Sequence, residues 1–217
     1  MDKLIIYGDS LSTGTHGDGA YLATLTESLS VKRLENFAVG SSGTAEITPN
    51  SLVSILDGQK EKQKNGSTEG CGAELVLVWH GTNDWYWGTE IGTPGEDNPK
   101  TFYGAVKKAV TEIRRKNPDA LLVWVTPVFR WEAPDGKKEA GDAGFLPNKA
   151  GHTAADYTAA LRDMADRYHF PLIEMGRLLN IHQYNEERFL EDHVHPNAAG
   201  YRKIEKILIP QLKQLIE

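Results

Sequence analysis

The chain has 217 residues, 40% hydrophobic and 25% charged, which is the composition of a folded globular protein and enough for one domain with a sizeable core. A formal charge of −6, with no basic block longer than pairs such as Lys107-Lys108, argues against nucleic acid or an anionic membrane as a partner. Cys71 is the only cysteine, which excludes an internal disulfide framework and a zinc site built from several thiolates.

Leu4-Ile5-Ile6-Tyr7 reads as a buried strand, followed at once by Gly8-Asp9-Ser10. Met1 stands so close before it that a leader has no room, and no apolar run nears the ~18 residues of a membrane span. The expectation is a cytoplasmic chain. Tyr21, Leu22, Leu25 and Leu29 recur at near-helical spacing, and Arg33 to Val39 reads as a second strand ending in Gly40-Ser41-Ser42-Gly43. Pro49 to Lys64 predicts a helix with Leu52, Val53 and Leu56 on one face, stopped by Asn65-Gly66. Glu74 to Trp79 is the clearest buried strand and runs into His80-Gly81-Thr82-Asn83-Asp84.

Phe102, Ala105, Val106, Ala109, Val110 and Ile113 follow the template of an amphipathic helix that Asn117-Pro118 ends. Ala120 to Thr126 predicts a fourth strand, and Pro127 to Gly151 a long polar loop of the kind that is usually functional. Tyr157, Leu161, Met164 and Tyr168 form one helix face, Pro171 to Glu174 a short fifth strand, and Ile204 to Leu215 a C-terminal helix with a kink expected at Pro210.

Apolar strands alternating with helices imply an α/β fold. The expected architecture is a single domain over 1–217, a three-layer α/β/α sandwich on a five-stranded, mostly parallel sheet in the flavodoxin-like order 2-1-3-4-5. Ser10, Gly40 and Asn83 then each lie just past the carboxyl end of a different strand, where ligands bind in open α/β sheets.

A serine hydroxyl is a weak nucleophile until a base takes its proton. Glu191-Asp192-His193-Val194-His195 holds an acid and two imidazoles before the last helix, and Asp192 can reach one nitrogen of His195 while the other faces the serine. His193 is a competing base, and His193-Val194-His195 is also the pattern of a metal half-site, with His16 and His80 in loops on the same edge. Gly8-Asp9-Ser10 by itself is equally what a strand-to-helix turn uses, and Asp192 what a helix cap uses.

Taken together, Gly8-Asp9-Ser10, Gly40, Gly81-x-Asn83-Asp84 and Asp192-x-x-His195 resemble the four ordered blocks of the SGNH/GDSL hydrolase superfamily. The resemblance implies Ser10 as nucleophile, His195 as base and then acid, and Asp192 as the group that orients His195. It implies an oxyanion hole from the N–H groups of Ser10 and Gly40 and the amide of Asn83, with neither metal nor cofactor. Asp9 and Asp84 read as residues that shape the loops. The nucleophile elbow of the larger α/β-hydrolase fold is absent.

Trp85, Tyr86, Trp87 and Trp131 are candidate substrate-binding aromatics around the crevice, with Asp18, Glu90, Glu96 and Asp97 as acidic rim residues. Polar loops favour a small or carbohydrate ester carrying a short acyl group, acetyl above all. The rival readings are a thioesterase or lysophospholipase of the same mechanism, and a non-catalytic carbohydrate-binding protein on the same fold.

Overall fold

The computed structural model describes residues 1–217. Its strands in chain order are β1 (Lys3–Gly8), β2 (Arg33–Asn36), β3 (Leu75–Trp79), β4 (Leu121–Val125), β5 (Trp131–Glu132), β6 (Gly141–Asp142) and β7 (Leu172–Ile173). The helices are α1 (Leu22–Ser28), α2 (Leu52–Lys64), α3 (Thr82–Trp87), α4 (Phe102–Lys116), α5 (Ala154–Tyr168), α6 (Met175–Leu178) and α7 (Ala198–Ile216).

Strands β1 and β3 are buried at every position, which is why they read as unbroken apolar runs rather than alternating ones. They lie at the centre of a five-stranded sheet of order β2-β1-β3-β4-β7, every pair parallel. Counting only its own strands, the sheet has the expected order 2-1-3-4-5. Successive residues point to opposite faces. Leu4, Ile6, Leu77, Trp79, Val123 and Val125 pack against α1 and α7, whereas Ile5, Tyr7, Val76, Val78, Leu122 and Trp124 pack against α2, α4 and α5. Two apolar cores of equal standing, one on each face, make the three layers.

Two local expectations are corrected. Strand β2 ends at Asn36 instead of Val39: Phe37 and Val39 still donate to the Ile6 and Gly8 carbonyls, but Ala38 turns its N–H to the Asn36 side chain. The residues after β3 wind into α3. The stretch from Pro127 to Gly151 is not one open loop: β5 and β6 pair antiparallel within it, and Ala143 N bonds Arg130 O at 2.9 Å. Pro210 lies inside α7, which continues past it, and gives up one N–H while Leu208, Ile209 and Leu212 stay buried.

Candidate active site

Ser10 opens a short 3-10 turn directly after β1. The turn is held from several sides. Asp9 caps it by accepting from Leu11 N at 3.0 Å, Thr13 Oγ1 donates to Ser10 O at 3.0 Å, Asn36 Nδ2 donates to Ser12 O at 2.8 Å, and Tyr201 Oη donates to Leu11 O at 3.0 Å. A side chain at Gly8 would stand 2.7 Å from the Ser12 Cβ and Oγ, so the chain can turn this tightly only with glycine there. Burial pushes the Asp9 carboxyl up to about 7, its Oδ2 being buried without a partner.

The loop between α6 and α7 brings the imidazole. His195 Nε2 lies 2.8 Å from Ser10 Oγ, and His195 Nδ1 lies 2.7 Å from Asp192 Oδ2. The other Asp192 oxygen accepts from the backbone N–H of His195 at 2.8 Å and of Val194 at 3.2 Å. Burial by itself raises the Asp192 carboxyl, but these donors and the His195 ring outweigh it, and the net shift is downward. Acid and base sit on one closed loop, bridged between Leu190 and Pro196 and by Glu191 N to His195 O at 2.8 Å. His193 does not compete for Ser10. Its Nδ1 is 2.7 Å from Glu186 Oε1, a contact that raises its basicity, and no cluster of three or more His, Cys, Asp or Glu is placed to hold a metal ion.

Gly40 and Asn83 line the same cavity as Ser10 and His195. The Gly40 N–H has no acceptor within the protein, and a Cβ at Gly40 would meet nothing within 4 Å. Asn83, on the first turn of α3, donates one Nδ2 hydrogen to Ser42 O at 3.0 Å, which leaves the second for the cavity. Asp84 ties this turn to the Gly40 loop: its carboxylate accepts from Thr44 N at 2.7 Å and Ala45 N at 3.0 Å, against a burial that raises its proton affinity. Three strand ends are thereby joined into one wall.

The cavity holds about 540 Å³ and only a third of its 18 lining residues are hydrophobic. Tyr86 and Trp87 line it, and Trp87 Nε1 is fixed on Ser41 O at 3.1 Å. Trp85 and Trp131 do not. Because α3 is helical, Trp85 is turned into the core, fully buried, with Nε1 on Leu146 O at 2.9 Å. Trp131 is engaged in the β5–β6 pair, with its N–H on His193 O at 3.0 Å. Nor do the expected acidic rim residues reach the cavity: Glu90 meets His152, Glu96 meets Thr101, Asp97 meets Lys107, and Asp18 stands outside the lining. The acid found there besides Asp192 is Glu132.

Two lining residues were not anticipated as parts of the site. Arg130, 8% exposed, donates through Nη1 to Asn83 Oδ1 at 3.1 Å, pairs with Glu132 through Nε at 2.7 Å and through Nη2, and lies 4.7 Å from the Tyr86 ring centroid. His16 lies against His195. A lone arginine in a polar stretch carries no sequence pattern, whereas His16, as a loop histidine on the same sheet edge, carried a weak one.

A family model described as the GDSL-like lipase/acylhydrolase family matches residues 6–203. Among solved structures, the chain is similar to a protein from Lactobacillus plantarum, 20% identical with a TM-score of 0.79, with 98% of this chain and 97% of that one covered. It is similar to a lipase/acylhydrolase from Enterococcus faecalis, 16% identical with a TM-score of 0.64, covering 99% and 96%. A third is a catalytic mutant of an acetylxylan esterase from Geobacillus stearothermophilus, 13% identical with a TM-score of 0.62, covering 97% and 94%. No curated protein matches the sequence.

Proposed function

The chain belongs to the GDSL-like lipase/acylhydrolase family, and we propose that it is a serine esterase that removes short acyl groups, acetyl above all, from a small or carbohydrate alcohol. The observation that carries this reading is the run of hydrogen bonds from Ser10 Oγ to His195 Nε2 at 2.8 Å and from His195 Nδ1 to Asp192 at 2.7 Å.

In this mechanism Ser10 Oγ attacks the ester carbonyl while its proton passes to His195 Nε2. Asp192, accepting from Nδ1, keeps the ring in the tautomer whose Nε2 is free and stabilises the imidazolium that forms. The N–H groups of Ser10 and Gly40 and the free Nδ2 hydrogen of Asn83 receive the oxyanion. Collapse of the tetrahedral intermediate expels the alcohol, protonated by His195, and leaves an acyl ester on Ser10. Water deprotonated by His195 then attacks that ester, and the carboxylic acid leaves as Ser10 recovers its proton.

A short acyl group is favoured by the cavity, where Thr13, Thr15, Ser41, Thr82, Arg130 and Glu132 outweigh apolar surface. The fold it shares with an acetylxylan esterase is in keeping with a sugar acetate as substrate. The test is hydrolysis of p-nitrophenyl esters from C2 to C8 by the wild type and Ser10→Ala. The reading expects activity to fall from acetate upward and to vanish in the variant. Activity that climbs by ~0.8 kcal/mol per added CH₂ marks an apolar acyl channel and a lipid-like or thioester substrate; a fully active Ser10→Ala ends the serine mechanism.

A further inference from the structure

A second imidazole lies flat on that of His195. The ring centroids of His16 and His195 are 4.0 Å apart and their planes differ by 4°. His16 Nδ1 is 3.1 Å from Glu191 Oε2, and the other Glu191 oxygen accepts from Gly17 N at 3.0 Å, so the His16 ring is held in its plane much as His195 is by Asp192. Glu191 and Asp192 are consecutive on the bridged loop. Two imidazole–carboxylate pairs thus stand side by side, and one of them reaches Ser10.

We propose that His16 is a positioning residue for the esterase reaction: its ring holds the tilt of His195. The proposal rests on the function proposed above. Hydrogen bonds at Nδ1 and Nε2 fix where the His195 ring lies but leave it free to rock about the line joining them. A flat neighbour in van der Waals contact removes that motion.

The experiment compares the wild type, His16→Phe and His16→Ala. It reads kcat and KM for p-nitrophenyl acetate at pH 8 and, by ¹³C relaxation, the motion of the His195 ring. Loss of the stack in His16→Ala should lower kcat about 10-fold with KM little changed, and the flat, uncharged ring of His16→Phe should restore most of it at pH 8. The His195 ring should move more than in the wild type in His16→Ala and be nearly as still in His16→Phe. Wild-type kcat in His16→Ala, or an unchanged motion of the His195 ring in that variant, overturns the proposal. His16→Phe keeps the test open if His16→Ala does not fold. The ring motion needs no turnover, so it still decides whether His16 holds His195 if Ser10→Ala proves active and the esterase reading falls.

Discussion

The guanidinium of Arg130 meets the amide of Asn83 on its oxygen side, Nη1 to Oδ1 at 3.1 Å, while Asn83 Nδ2 donates to Ser42 O at 3.0 Å. An amide so held cannot flip, and a cation on its oxygen strengthens its N–H as a donor. Asn83→Ala should lower kcat by about 10² to 10³ with KM little changed. Arg130→Met should cost less, since the amide remains but is loosened. In the double variant the two effects should fall short of additive because they act through one group. Additive losses in a double-mutant cycle would show that Arg130 acts elsewhere.

Asp192→Asn separates geometry from tautomer. The Asn oxygen can keep both backbone donors, His195 N and Val194 N, so the loop should hold and the melting temperature should change little. The amide NH₂ would then face the imidazole, favouring the tautomer whose Nε2 carries the proton and cannot accept from Ser10. A fall in kcat of about 10⁴ is expected. Near-wild-type turnover on p-nitrophenyl acetate would remove Asp192 from the mechanism.

His80 offers a pH test that is independent of catalysis. Its ring is fully buried with both nitrogens unpartnered by the protein, and burial pushes its pKa down to about 3. The folded protein keeps it neutral while the unfolded chain binds a proton below about 6.5. Its contribution to stability is therefore whole above pH 6.5 and is lost as pH falls toward 3, at no more than ~1.4 kcal/mol per pH unit. Urea titrations at pH 8, 6 and 4 should show this slope in the wild type. His80→Asn should be less stable at pH 8 through lost packing, yet show a flatter acid limb. Parallel slopes would mean that the imidazole protonates freely in the native state.

Gly200 marks where α7 presses on the loop that carries the imidazole. A Cβ there would stand 2.2 Å from the Phe189 carbonyl oxygen and 2.9 Å from Pro196 Cβ. Neither backbone nor proline ring can move aside cheaply, so Gly200→Ala should destabilise by about 1–3 kcal/mol. It should also lower kcat, because the displaced residues flank Asp192 and His195. A stable variant with full activity would show that this loop tolerates displacement.

The sheet was legible because parallel strands covered on both faces must be apolar throughout, as β1 and β3 are. That Ser10, Gly40, Asn83 and His195 share one edge followed from that order alone. What escaped was set by contacts distant in sequence or by a change of period. Trp85 was placed at the rim because it follows Asn83 directly; the helix that begins at Thr82 sends it into the core. Arg130 became part of the site only because the chain after β4 returns beneath α3, and nothing local to Phe129-Arg130-Trp131 announces that. The Pro127 to Gly151 stretch looked open because two-residue strands such as β5 and β6 are too short to show an alternation.

The bridge between Leu190 and Pro196 closes a loop that carries base and carboxylate together. Their mutual geometry is therefore decided within a handful of neighbouring residues and needs no help from the sheet. The tertiary structure has two joints left to set, the gap between the imidazole and Ser10, which are 185 positions apart in the chain, and the stack of His16 on His195. Heating that parts α7 from the serine turn would take the base away from its nucleophile while leaving base and carboxylate paired on their own loop.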